Sequence, residues 1–397
     1  MNKKKTVHDI DVAGKTVLLR VDFNVTFHPN TTDISDDSRI KASLPTIKYL
    51  QDKKAKTVIC THLGRPKGKV DESMRLTPVS KRLSELLGKP VAQLKDCTGP
   101  EVEKAVKAMK PGDVVILENV RFHPGEEKND PALAKALAAL AQVYVNDAFG
   151  AAHRAHSSTE GVAKFIPAVS GLLMDRELQM LGMALEAPRK PFVSIVGGAK
   201  VSDKLSVLES LAPKVNVLII GGGMVATFLK QQGKQIGLSL VEDDKVEEAG
   251  RVVELAKKLG VKLMLPVDAM VADAFADKAK AKVVEIDKVE PTWRIMDIGP
   301  KTVALYESEI AKAKTVVWNG PMGVFEWEAF AQGTKRVANA LAKLKDATTV
   351  IGGGSTADAV ISLGLQDKMT HVSTGGGASL EFLEGKVLPG VAALMDK

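Results

Sequence analysis

The sequence predicts an α/β protein built of two doubly wound parallel-sheet lobes joined by a helix. Three observations carry that expectation. Apolar, β-rich runs alternate with helical patterns along the chain, four of those runs end in glycines, and one long helical pattern closed by prolines separates two strand-helix series.

The first series opens with the run 16–25, which ends in Arg20, Asp22 and Asn24, and continues with 57–61, 114–117 and 143–145. Helical patterns fall between them at 40–50, 77–87 and 131–142. The last has Asp130 as its N-cap and Pro131 at the first helical position, with Leu133, Leu137 and Leu140 on one face. Over 171–187, Met174, Leu178, Leu181 and Leu185 recur at helical spacing, and Pro188 and Pro191 end the pattern. The second series starts at Phe192, with strands near 217–220, 262–265, 315–318, 348–351 and a run into Ser373. The expected organisation is therefore an N-terminal domain over 1–170, an interdomain helix over 171–187 and a C-terminal domain over 188–385. No internal repeat or low-complexity segment interrupts it.

The glycine-terminated runs are 193–198, 217–223, 349–354 and 371–377. Glycine lets a backbone approach a ligand closely, and the unpaired N–H groups of a following helix, with its dipole, attract an anion. One such turn is an ordinary connection. Four along the carboxyl edge of one open parallel sheet form a crevice of the Rossmann-like kind, and the ligand expected there is a nucleotide.

Composition narrows the classes. The chain of 397 residues is 45% hydrophobic and 26% charged, and no apolar run reaches membrane-spanning length. The first five residues are followed by polar Thr6, His8 and Asp9 rather than a signal-peptide core, so a cytoplasmic location is expected. Cys60 and Cys97 form no Cys-x-x-Cys pair, which argues against a disulfide framework or a cysteine zinc site and makes them buried or incidental thiols. A net charge of +7 suits acidic partners. With 4% aromatics and one short basic block at 3–5, small anions fit better than nucleic acid or a membrane.

Polar and basic residues gather in the first series after its strands: Asp22 and Asn24, Arg39, His62 and Arg65, Arg121, then His153, Arg154 and His156. Any one is an ordinary surface charge. Arginine's planar fork suits carboxylate and phosphate, and several in successive loops point to a small, multiply charged anion.

These blocks also resemble a known family. Arg20-Val-Asp-Phe-Asn-Val25, Thr61-His-Leu-Gly-Arg-Pro66, Leu117-Glu-Asn-Val-Arg-Phe122, Asn146-Asp-Ala-Phe-Gly150, His153-Arg-Ala-His-Ser157, Gly197-Gly-Ala-Lys-Val-Ser-Asp-Lys204, Trp318-Asn-Gly-Pro-Met-Gly-Val-Phe-Glu326 and Thr374-Gly-Gly-Gly377 resemble phosphoglycerate kinase, in the family's order. The resemblance implies reversible glycolytic phosphoryl transfer between 1,3-bisphosphoglycerate and ADP, giving 3-phosphoglycerate and ATP, with an active-site cleft between the lobes and domain closure before transfer. It implies that the first lobe binds the phosphoglycerate through Asp22, Phe23, Asn24, Arg39, His62, Leu63, Gly64, Arg65, Arg121 and Arg154. It implies that the second binds Mg-ADP or Mg-ATP through Gly198, Ala199, Lys200, Lys204, Ile295, Asn319, Pro321, Glu326, Gly353, Gly354, Ser355 and Thr356, with Glu326 on the ribose. Arg39, Lys204, Gly375 and Gly376 are the implied catalytic groups, the tail 386–397 is expected to pack back on the first lobe, and a monomer is expected.

The residue inventory agrees with that chemistry. Phosphoryl transfer needs in-line positioning and charge neutralisation, and a carboxylate acceptor is already ionised at neutral pH, so no general base is required. Lys204 is expected in the first turn of a helix beginning at Ser202.

Three positions depart from the family pattern. Thr26 replaces a proline, Ile295 replaces a glycine near the adenine, and Ser355 replaces an aspartate that helps hold Mg2+, leaving a weak or water-mediated ligand with the ion held mainly by nucleotide phosphates. Asp358 is the nearest substitute in sequence. Rival readings are an NAD-dependent dehydrogenase, since 221–226 and 352–357 fit Gly-x-Gly-x-x-Ala, and a kinase-like protein impaired in turnover by Ser355. A P-loop reading of Gly14-Lys15-Thr16 fails because it precedes its strand and Asp9 takes the place of the first glycine.

Overall fold

Short β-branched runs buried on both faces pair as parallel strands, and helices cover them. The computed structural model describes residues 3–397. It divides into unit 1, Met1–Gln179 with Val387–Lys397, and unit 2, Met180–Lys386.

Unit 1 holds β1 (Thr16–Arg20), β2 (Thr26–Phe27), β3 (Ile34–Asp36), β4 (Lys56–Cys60), β5 (Ala92–Gln93), β6 (Val114–Ile116), β7 (Val143–Asn146) and β8 (Ala168–Ser170), with α1 (Ser38–Asp52), α2 (Thr77–Leu87), α3 (Pro100–Lys107) and α4 (Pro131–Ala138). Its sheet has the order β5-β6-β4-β1-β7-β8 and is parallel throughout, while β2 and β3 form a separate antiparallel hairpin. Alternation along the strands fills both faces: Val17, Leu19, Ile59 and Val145 enter one core, and Leu18, Val58, Cys60 and Tyr144 the other.

Three local departures have physical causes. The run 16–25 is strand only to Arg20, because the Asp22 carboxylate accepts the Asn24 amide and Val25 N–H bonds to the Phe23 carbonyl, which turns the chain. The helix starting at Pro131 is capped by Asp130 as expected, but it ends at Ala138, and Gln142 N–H already bonds to Thr16 O at the entry to β7. Thr26, at the proline position, starts β2 and bonds through its hydroxyl to Ser35 at 2.8 Å across the hairpin.

The chain end completes unit 1. Leu394 joins the core that holds Tyr144, the Asn146 side-chain amide donates to Gly390 O at 3.1 Å, and Met395 N–H bonds to Ala168 O at 3.0 Å. Both cysteines are buried free thiols, and burial pushes Cys60 up to about 12. No helix among the described residues is long and apolar enough to cross a membrane.

The helix α5 (Leu172–Glu186) contains the unit boundary, and Met174, Leu178, Leu181 and Leu185 are buried. Unit 2 holds β9 (Phe192–Val196), β10 (Val217–Ile220), β11 (Lys262–Met264), β12 (Asp268–Ala272), β13 (Ala281–Glu285), β14 (Arg294–Ile298), β15 (Thr315–Asn319), β16 (Thr348–Gly352) and β17 (His371–Val372). Its helices are α6 (Leu205–Leu211), α7 (Val225–Gln231), α8 (Val246–Leu259), α9 (Pro300–Ile310), α10 (Gln332–Ala342), α11 (Gly354–Ser362) and α12 (Gly377–Leu383), and α13 (Pro389–Ala392) lies in the returning tail. The main sheet, β11-β10-β9-β15-β16-β17, is parallel, so all four glycine turns stand on its carboxyl edge. A second, antiparallel sheet of order β13-β12-β14 falls outside the sequence expectations. Its strand β13 is exposed or half-buried throughout, so it lacks the apolar signature of the main sheet.

Leu137 is fully buried and Asp130 is a surface cap, which separates two costs. Leu137→Ala should destabilise unit 1 by about 2–5 kcal/mol and Asp130→Ala by about 1 kcal/mol. All three tryptophans, Trp293, Trp318 and Trp327, lie in unit 2, so amide hydrogen exchange in β4 rather than fluorescence is the measurement.

Candidate functional site

In unit 1 the loops that follow β1, β4, β6 and β7 leave one edge of the sheet, and Arg20 ties three of them together. Its side chain is fully buried; Nε donates to Ser158 Oγ at 2.8 Å, Nη1 to the Val21 carbonyl, and Nη2 lies 3.1 Å from His62 Nδ1. A guanidinium only donates, so His62 Nδ1 accepts and the ring proton sits on Nε2. Burial holds the His62 imidazole well below its ordinary value; Asp22 opposes this, and Arg20, Arg121 and Arg39 reinforce it. His62 is therefore a neutral donor at physiological pH.

Asp22 accepts from Arg39 Nη1 at 2.8 Å. Burial works against its ionisation, and the groups facing it, His62, Arg39 and Arg20, outweigh burial; with His62 uncharged, the guanidiniums are what hold the carboxyl low. Asn24 Oδ1 accepts Gly64 N–H at 2.8 Å and Phe23 N–H bonds to Thr61 Oγ1 at 2.9 Å, which fixes the first loop on the second. Asn119, absent from the sequence expectations, braces the third. Its Oδ1 accepts from the amides of Leu63 and Arg121, and its Nδ2 donates to the carbonyls of Leu63 and Met74. Arg121 is buried and donates to Gly64 O at 2.8 Å, Arg154 donates to His153 at 3.2 Å, and Arg65 is exposed. Burial and then Arg20 disfavour the charge on Arg121. Crowded cations of this kind are relieved by a multiply charged anion.

In unit 2 the turns after β9 and β15 interlock. A Cβ on Gly197 would lie 2.1 Å from Pro321 O, and one on Gly320 (φ +98°) 2.1 Å from Gly197 O, while Gly198 N–H bonds to Pro321 O at 3.1 Å. Only glycine permits this approach, and it sets Gly198 beside Pro321 at the strand ends. Ala199 and Lys200 are exposed in the loop that follows.

The expected helix at Ser202 is corrected. Ser202 N–H and Oγ donate to Glu242 at 2.9 and 2.6 Å, which holds 201–204 as a turn, and α6 begins only at Leu205. Lys204 is the cap residue rather than a first-turn residue, and its Nζ donates to Asn319 Oδ1 at 2.5 Å. Burial lowers the lysine, with Asp203 and Glu384 opposing. Asn319 Nδ2 is buried without a hydrogen-bond partner.

After β16, Gly353 (φ +87°) caps α11; Gly354 and Ser355 are exposed, whereas Thr356 is buried and its hydroxyl accepts Gly320 N–H at 2.7 Å. After β17, Gly375 N–H is engaged by Ser373 Oγ at 3.1 Å, and Gly376 (φ +50°) caps α12. Ile295 is half-buried on β14, its amide bonded to Ser239 Oγ at 2.9 Å. Val324 N–H bonds to Met296 O at 3.0 Å, which lays the loop carrying exposed Glu326 along that strand. Arg20 and Asn119 were missed as site residues. The signal for Arg20 was an arginine at the end of an otherwise apolar strand; that for Asn119 was its place in the block 117–122.

The phosphoglycerate kinase family model matches residues 7–386. A curated phosphoglycerate kinase of Dictyoglomus turgidum is 56% identical over 397 residues, covering 99% of this chain and all of the relative. Among solved structures, phosphoglycerate kinase of Coxiella burnetii is 44% identical with a TM-score of 0.89, and that of Pyrococcus horikoshii is 34% identical with a TM-score of 0.85. Each alignment covers 98% of both chains.

His156 gives the edge of unit 1 a measurable pH dependence. Burial, then Arg121, Arg20, Arg154 and His153, lower it from 6.5 to about 4, against the Glu126 carboxylate 3.8 Å from Nδ1. The unfolded chain binds this proton first, so its contribution to stability is lost as pH falls from 6.5 towards 4. Asp147, raised to about 6 by burial, has the opposite sign. His156→Gln should take up about one proton fewer on unfolding in that window, seen as a less positive slope of unit 1 stability against pH in urea titrations.

Proposed function

The chain belongs to the phosphoglycerate kinase family, and on that premise we propose how its two units divide the reaction. It is a glycolytic phosphotransferase with a carboxyl acceptor, moving a phosphoryl group reversibly between 1,3-bisphosphoglycerate and ADP to give 3-phosphoglycerate and ATP.

In our reading unit 1 binds the phosphoglycerate through Asp22, Phe23, Asn24, Arg39, His62, Leu63, Gly64, Arg65, Arg121 and Arg154. Unit 2 binds the nucleotide at its glycine turns, through Gly198, Ala199, Lys200, Lys204, Ile295, Asn319, Pro321 and Glu326, with Gly353, Gly354, Ser355 and Thr356. The observation that carries this division is the contrast between the two sheet edges: one is a crowd of cations around a neutral His62, the other a set of backbone turns with exposed Lys200 and with Lys204 held on Asn319. Neutral His62 donates from Nε2 to the substrate without adding charge. Arg39, aligned by Asp22, meets charge that develops on the transferring group. Lys204, aligned by Asn319, does the same from the nucleotide side. Gly375 contributes by shaping the turn, since its amide is already engaged, while Gly376 presents backbone at the start of α12. No group on either edge needs to act as a base.

Magnesium fits as an ion carried by the nucleotide. Ser355 offers a neutral, exposed hydroxyl on the first turn of α11, where the helix dipole disfavours a bare cation, and exposed Asp358 stands about one turn further on. When bound with the nucleotide, magnesium supplies charge neutralisation at the phosphate oxygens. One chain carries both sets of binding residues, which supports action as a monomer, and the glycolytic role supports a cytoplasmic location. A dehydrogenase fingerprint also needs an acidic residue on the ribose about twenty residues on; Glu242 and Asp243 fall near that distance, but Glu242 is committed to Ser202 and Asp243 to Lys230, and Gly222 is packed against Gly198.

Magnesium-dependent ATP formation from 1,3-bisphosphoglycerate and ADP, without nicotinamide, is the decisive assay; a folded protein with no turnover would refute the reading. Arg39→Ala should lower kcat about 10²–10³-fold while changing nucleotide affinity little, and Arg39→Lys should rescue poorly because it loses the fork. Equal losses in kcat and nucleotide affinity would remove Arg39 from its role. Ser355→Asp should lower, and Ser355→Ala raise, the magnesium concentration that gives half the maximal rate. If neither moves it while Asp358→Ala abolishes activity, Asp358 is the ligand.

A further inference from the structure

One cluster of metal-binding side chains lies outside the groups used so far. Asp96 and Cys97 sit on the loop between β5 and α3, and His123 follows the turn Val120–Phe122 that carries Arg121. Their ligand atoms, a carboxylate oxygen, the thiol sulfur and an imidazole nitrogen, all lie within 4.8 Å of one another, and among the described residues this is the one such group. The parts are already held in place. His123 Nε2 is 2.7 Å from Asp96 Oδ1, the same oxygen accepts Cys97 N–H at 2.6 Å, and Cys97 Sγ donates to Glu118 O at 2.9 Å. Burial is graded across the cluster: Cys97 is closed off, whereas the His123 and Asp96 side chains are 26% and 57% exposed. An ion arriving from solvent meets the carboxylate and imidazole first and the sulfur last.

We propose that Asp96, Cys97 and His123 form a site for a thiophilic divalent cation of the zinc class. Four-coordinate zinc takes sulfur, nitrogen and oxygen at about 2.0–2.3 Å, with ligand-to-ligand edges of about 3.3–3.8 Å, so these atoms reach it by small side-chain rotations, and water fills the fourth position. Coordination replaces the thiol proton directed at Glu118 O, which leaves to solvent, and the Nε2 proton between His123 and Asp96, which a neutral ring carries on Nδ1 instead, so the ligands are thiolate, neutral imidazole and carboxylate. A sulfur ligand and three protein donors do not suit magnesium, which wants an octahedral oxygen shell, so the site is separate from the nucleotide's metal. The ion ties the loop at Asp96 to the turn that places Arg121.

Cobalt(II) reports this directly on the full, reduced chain without nucleotide. The expected result is a sulfur-to-cobalt charge-transfer band with strong four-coordinate visible bands, saturating at one cobalt per chain and indifferent to excess magnesium. The chain has two cysteines, so assignment is unambiguous: C97S abolishes the charge-transfer band and C60S retains it. H123Q and D96N, at more exposed positions, should weaken cobalt binding at least about tenfold, the loss that an outer-shell partner alone can cause. No such band in the wild type, a band that survives C97S in a protein with unchanged circular dichroism, or cobalt affinity unmoved by both H123Q and D96N would overturn the proposal.

Discussion

Parallel pairing is the constraint from which the rest follows. A strand covered by helices on both faces has room for polar side chains only where it ends, and parallel neighbours all end at the same edge. In unit 1 this delivers Arg20, Asp22, His62, Arg121 and Arg154 to one place although 134 positions separate the first from the last. In unit 2 it delivers the turns after β9, β10, β15, β16 and β17 to one edge. Sequence distance becomes irrelevant there, and a long core becomes a means of placing loops.

Placing cations at such an edge has a cost that the structure offsets locally. A guanidinium taken out of water loses several kcal/mol of hydration, and removing one partner of a buried ion leaves the other uncompensated. Arg20 meets this with acceptors on every side: Ser158 Oγ, Val21 O and His62 Nδ1. Ser158 in turn donates to the buried Glu126 carboxylate at 2.6 Å, so the counter-charge stands one hydroxyl away. Burial raises Glu126, with Arg20 opposing, which keeps the pair interdependent. The same arrangement holds three loops in register and fixes the tautomer of His62. Rigidity of this sheet edge and satisfaction of a buried charge are one device.

Much of this was legible in the residues. The strand-helix alternation, the Asp130 cap, the apolar face of α5 and the glycine turns all rest on local signals, and the parallel sheets carry them. What escaped shares a cause: it depends on partners far along the chain. Glu242 delays α6 by holding Ser202 from 40 residues away, against a local pattern that reads as helix. The antiparallel sheet β13-β12-β14 offers a half-exposed strand with little apolar contrast. Cys97 and His123 are 26 residues apart, so no spacing rule for metal ligands could bring them together.

On the proposed division the two edges would hold a charged ligand in different ways, and the difference suits the reaction. At unit 1 the donors are side chains locked by one another, which matches a small substrate that must be oriented to transfer or accept a group. At unit 2 the close approach of Gly197 and Gly198 to Gly320 and Pro321 leaves no room for side chains at the turns themselves, so backbone sets that surface, and Lys204 stands beside it on Asn319. Burial lowers Lys204, yet its bond to Asn319 Oδ1 and the nearby Asp203 and Glu384 favour the charged form. A phosphoryl group in transfer carries more diffuse negative charge than either anion it connects, and a lysine already oriented by a neutral amide can meet that charge without first breaking an ion pair.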